Sequence, residues 1–93
     1  MKLRFLPEAQ RDLAWFRAYY ETIFPEGAER ARRQYRRTMA NLRSNPYIGQ
    51  PVGADARRFP IPRTPFSVIY RVAEAELEIF RVLDQRAENS IEP

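Results

Sequence analysis

Cysteine and histidine are absent from this chain, and lysine occurs once, at Lys2. The first absence removes disulfides, thiolate nucleophiles and sulfur-ligated metals together. The second removes the side chain that most often titrates near neutral pH. Proton transfer there would need a carboxylate, a tyrosine or a perturbed lysine. Glycine is scarce, with Gly27, Gly49 and Gly53 isolated from one another, so no glycine-rich phosphate loop exists. No uncharged apolar run approaches the roughly 18 residues of a membrane span. The opening residues 1–8 lack the apolar stretch of a signal peptide. A cytoplasmic protein without membrane, metal or cofactor is the expectation. Its 93 residues leave room for one domain, spanning 1–93, because a second hydrophobic core would not fit.

Arginine is what the chain has in excess. It supplies all the basic residues but Lys2, and it is unevenly placed. Residues 1–29 carry a net charge of −1, residues 30–73 carry +9 and residues 74–93 carry −4. In the middle block Asp55 is the single acid. A block this basic suits an anionic partner: nucleic acid, an acidic protein surface or an acidic peptide. Arginine also suits bidentate contact with carboxylate or phosphate. A merely solvated surface, in a protein drawn from an arginine-rich proteome, explains the composition equally well.

Apolar periodicity divides the chain. Lys2 to Leu6 alternates polar and apolar, which predicts a short strand. Pro7 stops it and can open a helix at its first turn. From Glu8 to Ile23, Ala9, Leu13, Phe16, Tyr20 and Ile23 recur at helical spacing, with Trp15 and Tyr19 widening the stripe. Phe24-Pro25-Glu26-Gly27 breaks the pattern. A second helix is expected from Ala28 to Ser44, with Ala28, Ala31, Tyr35, Met39 and Leu42 on one side. Arg30, Arg32, Arg33, Arg36, Arg37 and Arg43 fall on the other. Residues 7–44 thus form a helical hairpin with a basic back, and such a face is most often simply solvated.

Residues 45–53, rich in proline and glycine, read as a connector. Three strands follow within 57–84. The first, Arg57 to Ile61, is confined by Pro60 and Pro62 to a sheet edge or a bulge. Phe66 to Val72 is rich in aromatic and β-branched residues. After the polar turn 73–76 comes Leu77 to Leu83, and then a polar tail over 85–93. The fold expected is α+β: an N-terminal strand, a helical hairpin and a three-stranded antiparallel meander, with the hairpin on one sheet face. Strict alternation puts Phe66, Val68, Tyr70 and Val72 on one face, with Ser67, Ile69 and Arg71 on the other. It likewise sets Phe80 and Val82 opposite Leu77, Ile79, Arg81 and Leu83. Both strands then have apolar residues on two faces, and two helices can cover only one. The second face is expected to be covered by the tail or, in preference, by a partner.

Several segments together resemble one family. The opening strand with Leu6-Pro7-Glu8-Ala9-Gln10-Arg11-Asp12-Leu13 is similar to the start of ParE and RelE toxins. Asn45-Pro46 with Gly49 resembles the connector after their second helix. Arg58-Phe59-Pro60-Ile61, then Pro65-Phe66-Ser67-Val68-Ile69-Tyr70-Arg71-Val72, is similar to their central hairpin. Glu78-Ile79-Phe80-Arg81-Val82-Leu83 followed by Arg86 resembles their closing strand. The likeness covers nearly the whole chain in the right order.

That resemblance implies a growth-inhibiting toxin of a type II toxin–antitoxin pair, held in a heteromeric complex by a cognate antitoxin with an acidic amphipathic segment. It leaves the target open, since RelE-like members cut messenger RNA on the ribosome and ParE-like members inhibit DNA gyrase. Metal-free RNA cleavage needs a base for the 2′-hydroxyl, a cation for the phosphate and an acid for the leaving oxygen. RelE-like nucleases draw these from an arginine on the central strand, an arginine after the last strand and a C-terminal tyrosine or histidine. Here the central-strand position is Ser67, Arg86 matches the second arginine, and Ser90-Ile91-Glu92-Pro93 stands where the tyrosine would fall. One of three favours the ParE-like branch, although Asp84 stands near the place of a histidine usual there. On this reading no residue is catalytic. Arg57, Arg58, Arg63, Ile69, Arg71, Arg81 and Arg86 are the candidate antitoxin or target contacts, each arginine with a surface ion pair to Glu74, Glu76, Glu78 or Asp84 as its plainer explanation. A ribosome-dependent ribonuclease using Arg86, with Tyr70, Arg71 and Arg81, is the alternative. A non-toxic antitoxin-binding relic is the third.

Overall fold

The computed structural model of the chain describes residues 1–85. The chain runs β1 (Lys2–Phe5), α1 (Pro7–Ala18), a π-helical turn (Tyr19–Ile23), a 3₁₀ turn (Pro25–Gly27), α2 (Ala28–Ser44), β2 (Gln50–Val52), β3 (Ala56–Pro60), β4 (Phe66–Val72) and β5 (Glu76–Asp84). The tail beyond Gln85, including Arg86, lies outside the described residues. The strands form one mixed sheet in the order β1-β5-β4-β3-β2. β1 pairs with β5 in parallel and every other pair is antiparallel.

The class is the α+β arrangement expected, with two differences in the sheet. The connector contains a strand, β2, so the closing meander has four strands rather than three. Gln50-Pro51-Val52 is too short, and too interrupted by proline, to stand out by alternation. Its short length and Pro51 suit an edge. β2 in turn covers β3, which is therefore not the edge its prolines suggested. The ladder with β2 runs only through Ala56, Arg57 and Arg58, so Pro60 stands past its end.

The second difference is a bulge. Ile69 pairs with Arg81 but Tyr70 pairs with Ile79, so Phe80 is the extra residue on β5. The bulge breaks the alternation and places Leu77, Ile79 and Val82 together in the core, where strict alternation had Val82 opposite the other two. Phe80 and Leu83 are half-buried.

Both helices bury one side in a core shared with the sheet. Ala9, Phe16 and Tyr20 come from the first helical segment, Ala31, Met39 and Leu42 from α2, and Ile61, Phe66, Val68, Tyr70, Leu77, Ile79 and Val82 from the sheet side. Phe66 is the centre of an aromatic cluster. Its ring lies 4.8 Å from Phe16, edge-on, and 5.7 Å from Tyr19. The π-helical turn adds one residue to a helical turn. With it, the consecutive Tyr19 and Tyr20 both reach this cluster. Replacing a buried aromatic there by alanine costs about 3–5 kcal/mol. Pro7 at the start of α1 and Arg43 in the last turn of α2 follow helix-end rules.

Candidate partner-binding surface

The cross-strand register sorts the candidate residues. Arg58, Ile69 and Arg81 form one row across β3, β4 and β5. Arg71 lies two residues further along β4, beside Glu78. Arg57, Tyr70 and Ile79 form the neighbouring row, in which Tyr70 and Ile79 are fully buried. Arg57 therefore belongs with the core-facing set and does not join Arg58. Arg63 stands apart, exposed in the β3–β4 turn with φ of 63°. A non-glycine residue rarely adopts that conformation. Thr64 braces the turn, its hydroxyl donating to Ile61 O at 2.9 Å and accepting from the Phe66 N–H at 3.1 Å.

Arg71 is held in a ladder of charge. Its Nε donates to Glu78 Oε1 at 2.9 Å, a second guanidinium nitrogen reaches the same oxygen, and Nη1 reaches Asp55 at 3.2 Å. Glu78 also faces Arg4 at 3.7 Å, and Arg4 faces Glu76 at 3.5 Å. The ladder therefore runs from β1 across β5 and β4 to the β2–β3 turn. The hydrogen bond that Arg71 donates to Glu78, then that to Asp55, raises its pKa above the usual range. The guanidinium lies 5.4 Å from the Phe80 ring centre, which links the bulge to this cluster. For Arg71 the ion pair with Glu78 is present as the plainer explanation supposed.

Arg81 turns to α1 instead. Asp12 grips it through both carboxylate oxygens, at 2.7 and 3.1 Å, and also accepts the backbone N–H of Val82 at 2.9 Å. Arg57 donates to two carbonyls, Tyr47 O at 3.0 Å and Gly49 O at 2.7 Å, and its guanidinium lies over the Tyr47 ring at 5.1 Å.

The residues weighed for RNA chemistry are placed as follows. Ser67 is fully buried, and its hydroxyl accepts a hydrogen bond from the Gln85 amide. Tyr70 is fully buried too, donating to Pro46 O at 2.8 Å and accepting from the Gly49 N–H at 2.9 Å. Its pKa is raised above the ordinary tyrosine value, because burial outweighs the opposing effects of that N–H and of Arg57. It is a core aromatic.

On α2 the basic back is present. Arg32 and Arg33 approach Glu29 at 3.8 and 3.7 Å, all three well exposed. Such pairs are worth at most a few tenths of a kcal/mol each, about 0.3–0.5. The face remains positive. Two features escaped the sequence reading. One is an open cleft of about 240 Å³ between the two helices, floored by Phe16, Tyr20 and Tyr35 and rimmed by Arg17, Arg32 and Arg36. Burial there raises the pKa of Tyr35, with Arg17 opposing. The spacing of Arg32 and Arg36 beside Tyr35 was the available signal. The other is the anchoring of the connector by Tyr70 and Arg57, which sequence adjacency does not reveal.

Among the described residues no helix is long and apolar enough to cross a membrane. Nor, among them, do three His, Cys, Asp or Glu side chains gather as a metal site would require. A family model, described as the ParE toxin of the type II toxin–antitoxin system parDE, matches residues 3–88. The chain belongs to that family of toxins. Its structure is similar to a chain of the chromosomal ParDE toxin–antitoxin system from P. aeruginosa, with a TM-score of 0.68. The two are 30% identical, over 88% of this chain and 92% of that one. A search of curated proteins gave no match.

Proposed function

We propose that this toxin, a single domain over 1–93, arrests growth by protein–protein contact with DNA gyrase. In the cytoplasm it would be held silent in a heteromeric complex by a cognate antitoxin with an acidic amphipathic segment. The observation that supports contact over RNA cleavage is the state of Ser67 and Tyr70. The central-strand position that would carry a phosphate-binding arginine is a buried serine bonded to Gln85, and the tyrosine beside it is committed to Pro46 and Gly49. A transition state on RNA needs charge and proton donors that face the substrate. The antitoxin part of the reading is supported by the arginines. The basic back of α2 suits an acidic chain, and Ile69, half-buried between Arg58 and Arg81 in their row, suits its apolar teeth.

The test is pulse-labelling of DNA and protein synthesis after this chain alone is induced in bacteria. DNA synthesis falling first is the expected result. Protein synthesis falling first would identify a ribonuclease, and Arg86→Ala would then be the variant to assay for lost cleavage. No arrest at all would indicate a relic that only binds its antitoxin.

A further inference from the structure

The connector between α2 and β2 presents two adjacent exposed large apolar side chains, Tyr47 at 66%, the most exposed of its kind among the described residues, and Ile48 at 41%. Its backbone, by contrast, is tied on every side. Ile48 N–H donates to Asn45 O at 3.2 Å, Gly49 N–H to the Tyr70 hydroxyl, the Tyr70 hydroxyl to Pro46 O, and Arg57 to the carbonyls of Tyr47 and Gly49. Gly49 itself is buried against Tyr70, where a Cβ would come within 2.5 Å of the phenol oxygen. A fully buried residue and a half-buried arginine thus hold a short loop whose side chains point to solvent.

From this knuckle we infer that Tyr47 and Ile48 are the anchor by which the toxin grips its folded target protein, a surface distinct from that which receives the antitoxin. A tyrosine and an isoleucine exposed side by side form a small apolar surface that a partner can cover. Holding them rigid removes the ordering cost that binding would otherwise carry. Tyrosine and arginine are also the residues that most often dominate interfaces. Here Arg57 lies directly against Tyr47, and both of its contacts are with carbonyls, so its positive charge is not met by a carboxylate among the described residues. Asp55, the nearest acid in sequence, is engaged by Arg71. The complementary surface is therefore an apolar pocket with a carboxylate at its rim. A pre-formed pocket on a folded protein matches a rigid knuckle, and capture of the same loop by the antitoxin is the competing outcome that the experiment reads. Tyr70 is the positioning residue, acting through the backbone of Pro46 and Gly49.

This inference rests on the reading of the target as gyrase, and its experiment separates the two. Affinities of the full chain for purified gyrase and for the purified antitoxin are measured for the parent, Tyr47→Ala, Ile48→Ser and Tyr70→Phe. Both surface variants are expected to retain the fold, since neither side chain belongs to the core. The expected result is a loss of about tenfold or more in gyrase affinity for Tyr47→Ala, with antitoxin affinity unchanged. Tyr70→Phe is expected to lose gyrase affinity while speeding hydrogen exchange at the Gly49 amide, a readout that a bulk loss of stability would spread over the whole core. Parent and Tyr47→Ala binding gyrase equally would overturn the knuckle and leave the gyrase reading standing. Equal losses toward gyrase and antitoxin would overturn it as well, making the loop an antitoxin contact. A parent that does not bind gyrase would overturn the functional reading and this inference with it.

Discussion

Asp12 on α1 holds Arg81 on β5 through both of its carboxylate oxygens and, with one of them, also accepts the N–H of Val82. β1 pairs with β5 only as far as Ile79, and Leu6 N–H donates to Ile79 O just beyond. Past that point β5 has no strand on this side, and Asp12 stands in for one. Asp12→Ala removes the acceptor of a strand N–H and of two hydrogen bonds from the Arg81 guanidinium. Hydrogen bonds to charged groups are worth about 1.5–3 kcal/mol, and the partial exposure of Arg81 discounts the figure. A loss of about 2 kcal/mol is expected in urea unfolding, and a smaller one for Asp12→Asn, which keeps one acceptor oxygen. Equal stability of Asp12→Ala and the parent would show that water replaces the carboxylate without cost.

The bulge at Phe80 leads to a deletion experiment. Removing Phe80 brings Ile79 next to Arg81, and Leu77, Ile79 and Val82 then alternate regularly on the core face. The variant loses only the half-buried ring and its contact with Arg71. It is expected to fold, with near-parent near-ultraviolet circular dichroism and a stability loss of about 1–2 kcal/mol. Deleting Ile79 instead leaves the same alternation but puts the Phe80 ring in the fully buried position of Ile79, and this overpacking is expected to cost about 1–3 kcal/mol more. If the Phe80 deletion proves as damaging as the Ile79 deletion, the bulge does more than restore register.

These two cases mark how far the sequence carried. The helical stripes, the breaker at 24–27 and strands β1, β4 and β5 were legible because each rests on a local period or a local turn signal. The limits of α2 were legible to the residue, and the expected Ala28–Ser44 is the helix found. β2 was not legible, because three residues with a proline carry no period and the strand exists only by pairing with β3. The bulge was not legible either, since alternation is read from spacing and the bulge is decided across strands. For the candidate surface, the arginines could be named but not their partners. Arg81 finds Asp12 across the fold and Arg57 finds carbonyls, partners outside the set of Glu74, Glu76, Glu78 and Asp84.

The back of α2 gives a kinetic prediction. Arg30 and Arg37 are exposed and carry no ion pair among the described residues. Reversing both to glutamate is expected to change stability by less than about 0.5 kcal/mol. The association rate with an acidic antitoxin is expected to fall several-fold at low salt, and the difference to close as salt rises. Rim charges act mainly on encounter, and mobile ions screen them beyond about 8–10 Å. Stopped-flow mixing at two ionic strengths measures this. A rate unchanged at low salt would mean that the antitoxin approaches another face.

Tyr70 gives a pH dependence whose sign is fixed by its burial. Its native pKa lies above the ordinary value, chiefly from desolvation, and that ordinary value of about 10 is the one the unfolded chain has. Between the two, the unfolded chain has released the proton and the native protein still holds it. The native state then binds more protons, so stability falls as pH rises through this window and is constant below it. Tyr35 is shifted in the same direction by burial and adds to the slope. Denaturant midpoints are therefore expected to be level from about pH 7 to 9 and to decline above about pH 10. Tyr70→Phe removes two hydrogen bonds and starts lower at neutral pH, by about 1–2 kcal/mol. Its alkaline decline is expected to be shallower than the parent's but not abolished, because Tyr35 remains. An identical slope in the two proteins would mean that the Tyr70 hydroxyl has the same proton affinity in the native and the unfolded chain.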